Sequence, residues 1–434
     1  MIFGFGKKKQ EEEVEEEVEH IEFQGALWDR EVDLASNSRL AEVGLVPTKE
    51  LLTDCLSRRA DVIRIDLKGD KSQVSMLIDG AKYAGPRYSK QQAFAVMQVL
   101  KLLAGLDLKL RGQSQSGGIK ATLNEVPYEL YIDTLSSPTS GERVTVTARN
   151  TQIKLSTPEE VGFSSEFKDT VRDFFTGRKG VVLVCGPPMS GTTTTVYAVL
   201  RAVDAYIYSV YSIRDSLWRE VPYLTQFEEK EGDDTEATLL RIIRLESDVV
   251  FVDPIKSAED LKLILKFQDK STFLSEMVAK DAAHGILQVL QWVEDVDTVV
   301  DSLRATISQK LIRALCPKCK EAYRPNPKVV EKLGLPEEAK ILYRPPKALT
   351  EEELAQGLVP CEECGGTGFL GRRAIFEYIE LTDPIREAIK GKASASDLKA
   401  IARKEGMLTL QKDGLRLVIE GATSLDELQR TFKQ

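Results

Sequence analysis

The sequence predicts an α/β fold: a doubly wound parallel-sheet domain that follows a smaller α+β domain. Three observations predict it. Strand-like and helix-like segments alternate through the second half of the chain. GVVLVCG (180–186) is a short, continuously apolar, β-branched run of the kind buried on both faces of a parallel sheet. Residues 21–150 behave differently, with half-buried alternating runs around one helical stretch.

Composition bounds what such a chain can do. It has 434 residues, enough for two or three units, with 42% apolar and 29% charged residues, an ordinary globular balance. A net charge of −9 argues against nucleic-acid binding, which needs a basic surface. No apolar run approaches the ~18 residues that span a membrane. The N-terminus lacks a secretory signal, because its short apolar part precedes the lysines. These features point to a cytoplasmic protein and leave open a membrane met through a partner.

The elements follow in order. Residues 1–20 form a charged leader, three lysines and then an acidic run, expected to be solvated. In residues 21–150, ADVIRIDLKG, QVSMLIDG, GIKATLN, YELYID and RVTVTAR read as strands. Ser89–Leu103 has helical periodicity. Residues 151–165 read as a linker, and 166–434 as the second domain. There EFKDTVRDFFTG is an amphipathic helix, and AYIYSVYSI and SDVVFVD are further strand candidates. Residues 383–434 read as helical throughout.

GVVLVCG runs into GPPMSGTTTT (186–195), and a helix follows over Thr193–Val203. A P-loop has the frame G-x-x-x-x-G-K-[ST] after a strand, and its backbone N–H groups cradle phosphate. Gly186 and Gly191 hold the two glycine positions, and Ser190, Thr192, Thr193 and Thr194 complete the candidate phosphate contacts. Thr193 offers a hydroxyl to Mg²⁺. Thr192 stands where the lysine belongs, and a lost charge-assisted contact of roughly 1.5–3 kcal/mol lowers affinity by about tenfold to a hundredfold or more. Pro188 removes one N–H and Met189 restricts the backbone. The alternative reading of the loop alone is a strand-to-helix turn without a ligand.

Of six cysteines, four form Cys-x-x-Cys pairs, Cys316/Cys319 and Cys361/Cys364, with 41 residues between the pairs. Each pair suits a tight knuckle, and four thiolates on one tetrahedral Zn²⁺ leave no open position, so the metal would be structural. The intervening stretch, NPKVVEKLG to EEELAQG, is then a looped-out helical insertion within a module over 316–372. His20 and His284, the only histidines, do not suggest catalysis. Trp28, Trp218 and Trp292 read as packing or interface residues, and EEKEGDD (228–234) as a solvated loop.

From about Ala60 to its C-terminus the chain resembles the hexameric traffic ATPases of type II secretion and type IV pilus assembly (GspE/PulE-like and PilB-like). ADVIRID and LIDG resemble the family's opening strands, GPPMSGTTTTVYAVL its Walker A loop and helix, and DVVFVDPIK its Walker B strand. SQKLIRALCPKC, CGGTGFLGRRAIFEYIELTDPIREAI and EGMLTLQKDGLRLVIEGATSLDEL follow the family into its C-terminal region. The resemblance implies a RecA-like P-loop NTPase domain with a zinc-binding four-cysteine insertion.

The departures from the family fall where chemistry would be. The family ends Walker B in Gly-Glu; here Asp253-Pro254 stands, and proline cannot be a base. Asp253 remains able to hold Mg²⁺ through water. In the family's aspartate box, Asp215 is kept while Arg214 and Trp218 replace glutamates. Val278 takes the place of the box histidine. Ile132 and Thr147 fall at the first-domain arginines, with Arg143 and Arg149 nearby. Losses spread over a group that acts as a unit leave little residual rate. No catalytic residue is therefore assigned, and ATP with Mg²⁺ stays open as a ligand. The implied roles are a scaffold or regulatory subunit, assembled as a hexamer or with an active paralogue on inner-membrane secretion or pilus proteins, or else a motor with a rewired site. About sixty residues precede the resemblance, so docking to the membrane partner is expected to differ from that of longer relatives.

Overall fold

The computed structural model describes residues 20–433, except 69–70, 111–112, 138–140, 154, 156, 205, 214–220, 222, 228–231, 233 and 337–340. The charged leader, the box residues Arg214, Asp215 and Trp218, and most of EEKEGDD lie outside the described residues. The chain forms two compact units, Met1–Lys154 and Leu155–Gln434.

The first unit contains β1 (Glu22–Ala26), α1 (Ser38–Ser57), β2 (Ala60–Lys68), β3 (Lys71–Ile78), β4 (Ala81–Ala84), α2 (Lys90–Leu103), β5 (Gln115–Leu123), β6 (Val126–Ser137) and β7 (Gly141–Asn150). The strands form one antiparallel sheet in the order β1-β5-β6-β7-β2-β3-β4. Ile63, Ile65, Ile119, Ile132, Val144 and Val146 pack with Val96 and Leu100 of α2. Ser89 and Gln92 close a capping box that starts α2 one residue later than its periodicity suggests. The two helices approach closely at Gly44, where a Cβ would lie 2.6 Å from Val99 and 3.0 Å from the Ala95 carbonyl.

The second unit begins with α3 (Pro158–Val161) and α4 (Ser165–Asp173). It continues through β8 (Gly180–Gly186), α5 (Thr192–Ala202), β9 (Val210–Ser212), β10 (Leu224–Gln226), α6 (Thr235–Ile243), β11 (Val249–Phe251), α7 (Ala258–Leu265), β12 (Thr272–Val278), α8 (Ala282–Val293), α9 (Val296–Ser302) and β13 (Leu303–Leu315). β14 (Glu321–Tyr323), α10 (Pro327–Leu333), β15 (Leu342–Arg344) and α11 (Glu351–Ala355) lead to β16 (Phe369–Glu380). Four helices close the chain: α12 (Asp383–Lys390), α13 (Ala395–Lys404), α14 (Leu410–Ile419) and α15 (Leu425–Lys433).

The main sheet has the order β10-β9-β11-β12-β8-β13-β16 and is parallel except for β16. Alternation along β8 builds a core on each face. Val181 and Leu183 pack with Phe273 and with Ile286 and Val289 of α8. Val182 and Val184 pack with Phe251, Leu274 and Val199 of α5. This is the doubly wound arrangement that continuous apolar strands require.

One segment differs from its sequence reading. In AYIYSVYSI only Val210–Ser212 is strand, because Asp204 caps a turn: Tyr206 N–H donates to its Oδ1 at 3.0 Å, and the Ile207 and Tyr208 N–H groups to its carbonyl. Phe369–Glu380, with its paired arginines, forms edge strand β16 along most of β13.

Candidate functional site

The loop between β8 and α5 keeps a concave backbone. Gly186 is fully buried at the end of β8. A Cβ there would lie 2.2 Å from Ser190 Oγ and 2.9 Å from Thr192 Cγ2, so the chain curls back over it. Ser190 N–H donates to the Pro187 carbonyl at 3.1 Å. Met189 and Gly191 take positive φ, 65° and 89°. Glycine does this freely, whereas methionine is held there at a cost of roughly 1–2 kcal/mol. No side chain caps α5. Successive backbone N–H groups in such a turn, at a helix start, make an anion-binding concavity. Ser190 Oγ faces this loop, is 6% exposed as a residue, and has no hydrogen-bond partner among the described residues. Thr192, Thr193 and Thr194 lie half-buried on the first turn of α5.

Thr192 occupies the cation position of the loop. Thr193 Oγ1 donates to both carboxylate oxygens of Glu276, at 3.1 and 3.0 Å. Glu276 sits on β12, next to β8, with Val278 registered against Gly186, and it is 5% exposed. The sequence reading missed Glu276; the available signal was a single acid inside the otherwise uncharged run TFLSEMV. Asp253 follows β11, two strands from β8, and is exposed, while its carbonyl accepts from Ser275 Oγ at 2.8 Å. Val278 is also exposed. In the first unit, Arg143 pairs with Asp66 at 2.5 Å and Arg149 with Glu129 at 3.1 Å, and Ile132 is core.

The four paired cysteines converge. Cys316 follows β13, and Cys361 and Cys364 precede β16, so the pairing of these two strands brings the knuckles together. All four Sγ atoms lie within 4.8 Å of one another, with Cys316–Cys361 at 3.9 Å and Cys319–Cys364 at 3.7 Å. Sulfurs about 2.3 Å from a tetrahedral metal are about 3.8 Å apart, while a disulfide needs about 2.05 Å. The donor set therefore fits one metal ion. Gly368 N–H donates to Cys364 Sγ at 3.3 Å, which favours a thiolate. The 41-residue gap is filled by α10, α11 and the β14–β15 pair.

A cavity of about 400 Å³ counts Lys280, Asp281, His284, Lys310, Glu377 and Lys399 among its lining residues, with Ile379, Leu408 and Leu410. Its two buried carboxylates satisfy the start of α8. Asp281 accepts the His284 N–H at 2.9 Å, and Glu377 accepts the Ala282 N–H at 3.1 Å. Burial pushes the Glu377 carboxyl up. Burial acts the same way on Asp281, but hydrogen bonds from Lys399 and His284 outweigh it and hold that carboxyl below its usual range. The His284 ring, 2.7 Å from Asp281, belongs to this capping cluster. Trp28 is exposed with the Arg30 guanidinium over its ring, and Trp292 packs against the sheet core.

Comparison with known proteins places this geometry. Residues 41–430 match the family model described as Type II/IV secretion system protein. The type IV pilus assembly ATPase PilB of Thermus thermophilus is 27% identical over 389 residues, 89% of this chain and 42% of that protein. Type II secretion system protein E of Xanthomonas campestris pv. campestris is 26% identical over 380 residues, 86% of this chain and 64% of that protein. The chain thus spans less than two thirds of each of these two relatives. The ATPase DotB of Legionella pneumophila shares the fold at a TM-score of 0.54 and 12% identity, covering 90% of this chain and 96% of DotB. DotB of Yersinia pseudotuberculosis does so at 0.54 and 13%, covering 88% and 92%. Among the described residues no helix is long and apolar enough to cross a membrane.

Proposed function

This chain belongs to the type II/IV secretion system protein family, and from that membership we propose that it is a scaffold or regulatory subunit of a secretion or pilus-assembly machine, one that binds nucleotide weakly and does not hydrolyse it. The observation that carries this reading is the loop's charge balance. Its backbone suits phosphate, but Thr192 stands at the lysine position, Pro254 at the Walker B glutamate, and Thr193 is engaged by Glu276. A bound nucleotide would supply phosphate and Mg²⁺; Gly186, Ser190, Gly191 and Thr192–Thr194 would cradle it, with Asp253 facing the metal.

The remaining parts suit assembly. Cys316, Cys319, Cys361 and Cys364 hold a structural zinc. The protein works at the cytoplasmic face of the inner membrane, as a hexamer or with an active relative, against membrane-embedded secretion or pilus proteins. Retention of Asp253 and Thr193 favours one second reading, an ATP-hydrolysing motor with a rewired site.

Nucleotide binding and phosphate release by the wild type, alone and with an active paralogue, separate the two, with Thr192→Lys as a comparison. The scaffold reading expects no turnover by the wild type alone. Magnesium-dependent turnover that Asp253→Ala abolishes would establish the motor instead.

A further inference from the structure

β12 lies between β11 and β8, and its alternation turns Leu274 and Glu276 toward α5. Glu276 therefore meets the start of that helix from inside the sheet. Both of its carboxylate oxygens accept the Thr193 hydroxyl, at 3.1 and 3.0 Å. A carboxylate buried this far is tolerated only where hydrogen bonds and positive dipoles compensate it, and a helix N-terminus supplies the dipole. Ser190 Oγ, buried in the same loop, is left without a partner among the described residues. The loop thus combines an anion-shaped backbone, an unsatisfied hydroxyl, and an acid that already uses the Thr193 donor.

We infer that Glu276 is a built-in competitor of phosphate, whose carboxylate takes the Thr193 hydroxyl and sets the loop against the phosphoanhydride chain of a nucleoside diphosphate or triphosphate. The inference rests on the reading of the loop as a degenerate nucleotide site and gives it a second cause. Loss of the lysine removes an attraction; Glu276 adds a repulsion. Like charges a few ångströms apart in a partly buried site disfavour each other enough to change affinity by about tenfold or more. The two effects act on one ligand from different elements, Thr192 from the α5 turn and Glu276 from β12. They are therefore separable by substitution.

The test is equilibrium binding of a ribose-labelled fluorescent ADP to the full chain, with and without Mg²⁺. It compares the wild type with Glu276→Gln, Thr192→Lys and the double variant. Glu276→Gln keeps the side-chain shape and an oxygen that accepts from Thr193, but removes the charge. It is expected to tighten ADP binding by about tenfold or more, even without Mg²⁺, and to multiply the gain from Thr192→Lys. Should Glu276→Gln fail to fold by circular dichroism, Glu276→Thr makes the same comparison with a smaller side chain. If the charge-removing variant binds no more tightly than wild type while Thr192→Lys does, the competitor role is overturned and the scaffold reading survives. If the wild type hydrolyses ATP and Glu276→Gln abolishes that turnover, Glu276 serves a working site and both readings fall.

Discussion

Glu427 of α15 accepts the Arg313 guanidinium at 2.6 Å, which ties the last helix of the chain to the strand that leads into the first cysteine pair. The Glu427 carboxylate is 1% exposed and also takes two bonds from Arg430, at 2.8 and 2.6 Å. On its other side Arg313 stacks over the Phe369 ring, 3.8 Å from its centroid, at the start of β16. One carboxylate therefore anchors both strands that frame the cysteines. Glu427→Gln removes the charge that both guanidinium groups bond. It is expected to cost about 2 kcal/mol, a fall of roughly 5 °C in thermal melting. Calorimetry of the two proteins at neutral pH checks this.

Two buried glutamates carry opposite pH signatures. Burial raises the Glu427 carboxyl, but hydrogen bonds from Arg430 and Arg313 outweigh it and leave the group below its ordinary value of 4.5. Its contribution is present above about pH 4.5 and is lost as pH falls below that. Burial dominates at Glu377 and raises its carboxyl above 4.5, despite Lys399 and the Ala282 N–H. Its contribution is full below about 4.5 and is lost as pH rises through the raised value. Melting curves from pH 4 to 8 should show Glu377→Gln gaining on wild type as pH rises. The deficit of Glu427→Gln should shrink as pH falls.

Metal analysis of the purified chain is expected to give about one zinc per molecule, and Cys319→Ser or Cys364→Ser to reduce it to near none. Chelation should open α10, α11 and the β14–β15 pair to protease first, since the knuckles fasten both ends of that insertion. A fully folded, metal-free protein with unchanged protease resistance would refute the zinc assignment.

Gly186 and Ser190 are coupled by contact. A methyl on Gly186 would meet Ser190 Oγ at 2.2 Å, so Gly186→Ala should destabilise the chain by about 1–3 kcal/mol. Ser190→Ala removes a buried hydroxyl that has no partner among the described residues and should be neutral or stabilising. Gly186→Ala should cost less in the Ser190→Ala background, and denaturant unfolding of the four proteins measures that coupling. Additive costs would show that the loop does not close on Gly186 in solution.

Much of the architecture was legible because its signals are local. GVVLVCG needs both faces covered, and that alone makes it a central strand. The periodicity of Ser89–Leu103 marks its helix to within one residue. The reading faltered where a local signal misled. Tyr206 and Ile207 look like strand residues, yet Asp204 turns the chain beneath them and leaves both exposed. β16 carries two arginines in mid-strand and exists as a strand because β13 offers it a partner.

By itself, then, the sequence determined the α/β class, the glycine frame of the loop with its missing lysine, and the two cysteine knuckles. The loop frame and each knuckle are written within a dozen residues, and the class in a succession of such local periodicities. Tertiary structure alone decided what stands beside the loop. Thr193 and Glu276 are 83 residues apart, and nothing within TFLSEMV says which helix its acid faces. That depends on strand order: crossovers place β12 next to β8, and the two-residue period of the strand then turns Glu276 to the α5 side.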